Sequence, residues 1–331
     1  MTRPISRRRF IRISAAAAGL AVVPVGPSVR ASSSLVTWHG TMLGAVATMQ
    51  IHHQDRNEAQ RLVAAACTEA HRLERLFSLY LEDSALVELN RSGILVDPAA
   101  ELVDLLTISK RFAEATGGRF DPTVQPLWDL YAIHFSQPNA DSFGPPQSAV
   151  QAALAHVGYD RLTISRDRIV MRRGTAVTLN GIAQGYVTDK IVDLLRSRGI
   201  VNSLVDMGET RAIGSRPDGQ PWEVGIADPD VAGRTATILP IVDRAVSTSG
   251  AYGFRFDPQG RFNHLFDPAT GGCADRYRSV TTVSRSATAA DALSTAFSFM
   301  TSPQIRSVFP LVDIERVHLI DAAGAVFQLG S

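Results

Sequence analysis

The hydrophobic positions of this chain change period along its length. Residues 45–52 alternate loosely between apolar and polar, the pattern of a half-buried strand. Asn57 to Leu81 then takes helical spacing, with Leu62, Ala66, Leu73, Leu76 and Phe77 on one face. Ser84 to Asn90 reads as a short helix. Asp97-Pro98 followed by Leu102, Leu105, Leu106, Ile108 and Phe112 reads as a longer one, with proline in its first turn and a stop at Thr116-Gly117-Gly118. Ser136 to Ser148, rich in Pro, Gly, Asn and Ser, is a loop; Ser148 to Val157 is a helix; Leu162–Ile164 and Ile169–Met171 pair as a hairpin. Thr188 to Gly199 is a helix ended by glycine. Short strands follow at 203–205, 222–226, 236–241 and 280–283, then a helix over Ala289–Met300 and strands at 316–320 and 325–329. Helices early and strands late, without strict alternation, predict an α+β fold with mixed or antiparallel sheets and packed helices.

The chain has 331 residues, 45% apolar and 20% charged, which excludes a disordered or collagen-like protein. Its net charge of +1 gives no basic excess, and no nucleic-acid partner is expected. The charge is unevenly placed. Residues 1–31 hold six arginines (Arg3, Arg7, Arg8, Arg9, Arg12 and Arg30) and no acid. Arginines ahead of Phe10-Ile11, an apolar run to Val25 and a small-residue site at Val29-Arg30-Ala31 predict a twin-arginine signal peptide over residues 1–31, cleaved after Ala31. The expected location is the periplasm, and residues 32–331 form the working domain. Two cysteines, Cys67 and Cys273, are too few for a metal cluster or a disulfide framework and leave open a single bridge.

No GxGxxG after a strand, phosphate-loop GxxxxGK[ST], HExxH or GxSxG occurs. Candidate chemistry lies instead in five segments. Asp291 and Thr295 are one helical turn apart and can share a hard cation, although Thr288 and Asp291 also have the spacing of a capping box. Gly181 and Gly185 precede a helix, which lets backbone approach an anion. His264 stands before the Asp267-Pro268 turn as a candidate base. Asp121 follows the Thr116-Gly117-Gly118-Arg119-Phe120 turn, and Ser247-Thr248-Ser249-Gly250 is a run of small hydroxyls.

In order and spacing these segments resemble the ApbE family, the FAD:protein FMN transferases. The resemblance rests on Leu43-Gly44-Ala45, Phe77-Ser78-Leu79-Tyr80 with Ser84, Leu86 and Asn90, and Thr116 to Val124. It continues through Gly181 to Asp189, Thr248-Ser249-Gly250, His264 to Gly271 and Ala290 to Thr295. It implies an ApbE-like flavin transferase fold and a Mg²⁺-dependent transfer of FMN from FAD to a Ser or Thr of an acceptor protein, with release of AMP. Mg²⁺ ligands would be the Gly181 carbonyl, Asp291 and Thr295, assisted by Ser294. FAD contacts would fall at Leu43, Tyr80, Arg119, Phe120, Asp121, Thr178, Gln184, His264 and Leu265, with His264 as base. Twin-arginine-exported members of the NosX type point to a membrane-associated, NosR-like flavoprotein as acceptor. This chain departs from the family pattern at several positions. Leu43 and Ala45 stand for Met and Thr, Thr178 for Asp, and Gln184 for Lys, which removes a positive charge near the phosphates. Met207-Gly208-Glu209 stands for a Gly-Gly pair. Two other outcomes remain open: a pyrophosphatase that splits FAD with water, and a protein that binds and delivers FAD.

Overall fold

The computed structural model describes residues 20–22, 34–231 and 233–330. The leader's arginine cluster and its expected cleavage after Ala31 lie outside the described residues.

The chain is built on an eight-stranded sheet. From edge to edge it runs Val326–Gly330, Arg316–Asp321, Tyr277–Ser284, Ala245–Ser249, Thr210–Ile213, Ser203–Asp206, Ala45–His53 and Ser34–Met42, every neighbour antiparallel. The alternation seen in the sequence sets one face of Ala45–His53: Ala45, Ala47, Met49 and Ile51 are all buried. Helix Arg56–Phe77 crosses that face. Asp55 caps it, its carboxylate accepting from the Asn57 and Glu58 N–H groups at 2.8 and 3.3 Å. Leu62, Ala66, Ala70, Leu73 and Phe77 are its buried stripe. The helix stops at Phe77, short of the expected Leu81, because Ser78 turns extended.

Two further helices, Ala183–Ser197 and Ala287–Phe297, complete the central layer. The second is rich in Ala and other small residues and packs closely on strands Ala245–Ser249 and Tyr277–Ser284. At Gly185 a Cβ would lie 2.3 Å from the Ala287 carbonyl oxygen and 2.9 Å from Asp291 Cβ, so only glycine lets the two helices meet. Asp189 locks the junction. Its carboxylate accepts from the Ala287 and Thr288 N–H groups at 2.8 and 2.9 Å, from both hydroxyls of Ser286 and Thr288, and from Arg211 at 2.6 Å.

Two three-stranded sheets flank this core: Ile94–Val96 with Arg168–Met171 and Leu162–Ile164, and Leu20–Val22 with Trp222–Ala227 and Thr235–Ile241. A separate aromatic cluster joins helices Gln125–Ser136 and Gln147–Leu154 to the 254–273 segment, with the Tyr131 and Phe266 rings 4.9 Å apart. The expected α+β architecture is present. Cys67 and Cys273 are both free thiols, and no helix among the described residues is long and apolar enough to cross a membrane.

Candidate active site

A cavity of about 650 Å³ opens where the main sheet, helix Ala287–Phe297 and the aromatic cluster meet. Its lining combines apolar and aromatic side chains, Phe120, Trp128, Leu265 and Phe266, with the polar Asp291, Thr295, Glu209, Thr248 and Ser249. Each residue named as a flavin contact lines it: Leu43, Tyr80, Arg119, Phe120, Asp121, Thr178, Gln184, His264 and Leu265. Gly181, Asp291 and Thr295 line it as well, although they come from distant stretches of chain.

Several of these positions are held in place by their own hydrogen bonds. Leu43 and Gly44 form the two-residue hairpin turn between strands Ser34–Met42 and Ala45–His53, with φ of +48° and +77°. That geometry favours Asn-Gly, so leucine there is a strained choice that presents an apolar side chain to the cavity. Its N–H donates to Glu74 Oε1 at 3.1 Å. Arg119 donates two hydrogen bonds to the Asp267 carboxylate at 2.8 and 2.7 Å, fixing a guanidinium at the cavity wall. Asp121 has both oxygens engaged: Oδ1 accepts from Thr123 N–H and hydroxyl at 2.8 and 2.6 Å, and Oδ2 from Tyr159 N–H at 2.9 Å. It shapes the loop that presents Arg119 and Phe120. Gln184 is buried, and its amide packs on Gly208, where a Cβ would come within 2.6 Å of it.

The polar end brings Gly181, Asp291 and Thr295 together. A Cβ built on Gly181 would stand 3.0 Å from Thr295 Oγ1, so the glycine backbone and the threonine hydroxyl are immediate neighbours. Asp291 accepts from Gly185 N–H at 3.0 Å and is 4% exposed. Burial, aided by the Asp189 carboxylate, pushes its carboxyl up to about 7. Asp291 is not the helix cap that its spacing from Thr288 allowed. Ser286 is the cap, accepting from Ala289 N–H at 3.2 Å. Ser294 does not line the cavity: its hydroxyl donates to the Asp291 carbonyl at 2.9 Å and lies 2.7 Å from Ser249 Oγ, behind the wall. Ser249 Oγ in turn stands 3.3 Å from Thr295 Oγ1, so Ser294 acts on the site through this hydroxyl chain.

Glu209 escaped the sequence reading as a site residue. It is 3% exposed, lines the cavity, and its Oε2 has no hydrogen-bond partner. Burial and the facing Asp291 carboxylate push it well above the usual carboxyl range. An acid after a Met-Gly turn carries no local sign of facing Asp291; only the fold unites them. Neither carboxylate has an ion-pair partner among the described residues. His264, partly buried in the wall, is pushed down to about 4 by desolvation, and its Nδ1 is 3.4 Å from the Phe254 carbonyl oxygen. Its imidazole is therefore neutral across physiological pH.

A sequence profile of the ApbE family matches residues 43–314. An FAD:protein FMN transferase of Vibrio cholerae is 34% identical over 231 residues, covering 67% of this chain and 68% of the relative. One of Escherichia coli K12 is 28% identical over 314 residues, covering 90% of this chain and 89% of the relative. Among solved structures, the ApbE protein of Thermotoga maritima superposes with a TM-score of 0.80 at 28% identity, over 89% of this chain and 97% of that one. The flavin transferase ApbE of Vibrio cholerae superposes at 0.75 and 27% identity, over 90% of this chain and 98% of that one.

Proposed function

The chain belongs to the ApbE family, and on that premise we propose that it is an FAD:protein FMN transferase, moving FMN from FAD to a Ser or Thr hydroxyl of an envelope flavoprotein with release of AMP. The observation that carries the reading is the meeting of Gly181, Asp291 and Thr295 in the wall of a cavity that is also lined by Phe120, Trp128, Leu265 and Phe266.

The donor set suits Mg²⁺. Carboxylate, hydroxyl and backbone carbonyl are all hard oxygens, and the uncompensated carboxylates of Asp291 and Glu209 call for positive charge. Asp291, Thr295 and the Gly181 carbonyl would hold the ion, with Ser294 supporting Thr295 through Ser249. When bound, the ion offsets the negative charge of the FAD diphosphate.

The remaining work falls to the chain's own groups. Arg119, oriented by Asp267, supplies a fixed cation to the bound nucleotide. Phe120 and Leu265 offer an apolar face that excludes water from the flavin side. The acceptor hydroxyl oxygen forms a bond to the phosphorus on the FMN side, and the bond from that phosphorus to the AMP oxygen breaks. The hydroxyl proton passes to neutral His264, whose Nε2 is the acceptor when Nδ1–H faces Phe254. The nearby diphosphate strengthens that weak base by favouring the imidazolium. The arginine-rich leader supports action in the periplasm, with a membrane-associated, NosR-like flavoprotein as acceptor.

The test is incubation of residues 32–331 with FAD, Mg²⁺ and an acceptor flavoprotein domain. The expected result is an FMN-sized mass gain on the acceptor and stoichiometric AMP, both lost in Asp291→Ala. AMP without an acceptor would instead indicate a pyrophosphatase. Bound flavin with no AMP over hours would indicate a delivery protein.

A further inference from the structure

Glu209 is not among the cation ligands or the base named above, yet it occupies an expensive position. It closes the Met207-Gly208-Glu209 turn between strands Ser203–Asp206 and Thr210–Ile213. The turn is rigid: Gly208 N–H donates to Asp206 Oδ1 at 2.9 Å, and the Thr188 hydroxyl donates to the Glu209 carbonyl at 2.9 Å. The Ser247 hydroxyl and the Thr248 N–H favour the ionised form of Glu209, but its Oε2 is buried with no hydrogen-bond partner. An unpaired buried carboxylate is costly to desolvate, and a second carboxylate acting on it adds repulsion. A fold keeps such a pair where something outside the chain supplies the opposite charge.

We infer that Glu209 is a second carboxylate of the cation site, presenting Oε2 to a divalent ion held by Asp291 and Thr295, directly or through one ion-bound water. The inference rests on the cation role given above to Asp291 and Thr295. It goes further in one respect: with two carboxylates on the wall, the site binds a divalent cation before any nucleotide phosphate enters.

The experiment is titration of the FAD-free full chain with Mn²⁺, following loss of the free-ion signal by electron paramagnetic resonance. Wild type is expected to bind one Mn²⁺, and Glu209→Gln, which preserves shape, to bind at least about tenfold more weakly. Glu209→Asp, which keeps the charge one methylene back, should fall between them and guards against a folding defect in the glutamine variant. Glu315→Gln is the control: that carboxylate is paired with Arg244 at 2.5 and 2.9 Å and lies off the cavity, so it should leave the affinity unchanged. Wild-type affinity in a folded Glu209→Gln overturns the inference, as does absence of Mn²⁺ binding by wild type without FAD. Flavin transfer measured on the same preparations separates the two ideas. If wild type transfers FMN with Mg²⁺ while Glu209→Gln binds Mn²⁺ normally, only this inference fails.

Discussion

Replacing Asp291 by Asn should make the metal-free protein more stable at high pH, the reverse of what removal of a structural hydrogen bond does. In the folded chain burial lifts this carboxyl from 3.8 to about 7. A folded pKa above the unfolded one means that the native state holds a proton the unfolded chain has released. Stability is therefore full below pH 4 and is lost as pH rises towards 7. At 1.36 kcal/mol per pH unit, the loss is about 4 kcal/mol once Asp291 is ionised. Asparagine keeps an oxygen for the Gly185 N–H and carries no charge to desolvate. Urea denaturation of both proteins in EDTA should give similar stabilities at pH 4 and an advantage to Asp291→Asn of about 2–4 kcal/mol at pH 8. Saturating Mg²⁺ should then stabilise wild type and leave Asp291→Asn unmoved, narrowing or reversing the gap. Parallel stability curves from pH 4 to 8, or a less stable asparagine variant at pH 8 without metal, would refute the reasoning.

Gly185→Ala should destabilise the fold by about 3 kcal/mol or more, since its Cβ would meet the backbone of Ala287 at 2.3 Å; chemical denaturation measures this. Arg119→Ala frees the Asp267 carboxylate and should cost about 1–2 kcal/mol of stability together with a weaker fluorescence-detected affinity for FAD. His264→Gln should lower kcat by about a hundredfold with little change in KM for FAD. Because His264 titrates near 4, kcat/KM of wild type should show no inflection near pH 6.5 from this group.

Local pattern and long-range assembly separate cleanly in this chain. The alternation over residues 45–52 and the stripe Leu62–Phe77 were legible because each element meets the core on one face. Helix Gln125–Ser136 was not, because its aromatic residues Trp128, Tyr131 and Phe135 enter a cluster formed by residues 256–266, while Ile133 is left exposed. Strand Ala245–Ser249 is a run of small hydroxyls with almost every side chain buried, and central strands of that kind show no alternation. In the site, the Asp291–Thr295 spacing was visible, but whether Asp291 capped its own helix depended on Ser286 and on Asp189 from another helix. Glu209 was the least legible of all. Its position beside Asp291 is set by the register of strands Ser203–Asp206 and Thr210–Ile213 in the sheet, which no local signal encodes.

A single ion-binding point shared by helix Ala287–Phe297 and the remote Gly181 segment is central to the proposed transfer. Crystals of residues 32–331 grown with FAD and Mn²⁺, with data collected at the manganese edge, test it directly. The expected result is one strong anomalous peak bounded by the Asp291 carboxylate, the Thr295 hydroxyl, the Gly181 carbonyl and the FAD diphosphate. Bound FAD with its diphosphate away from these residues, or a manganese peak elsewhere in the cavity, would contradict it.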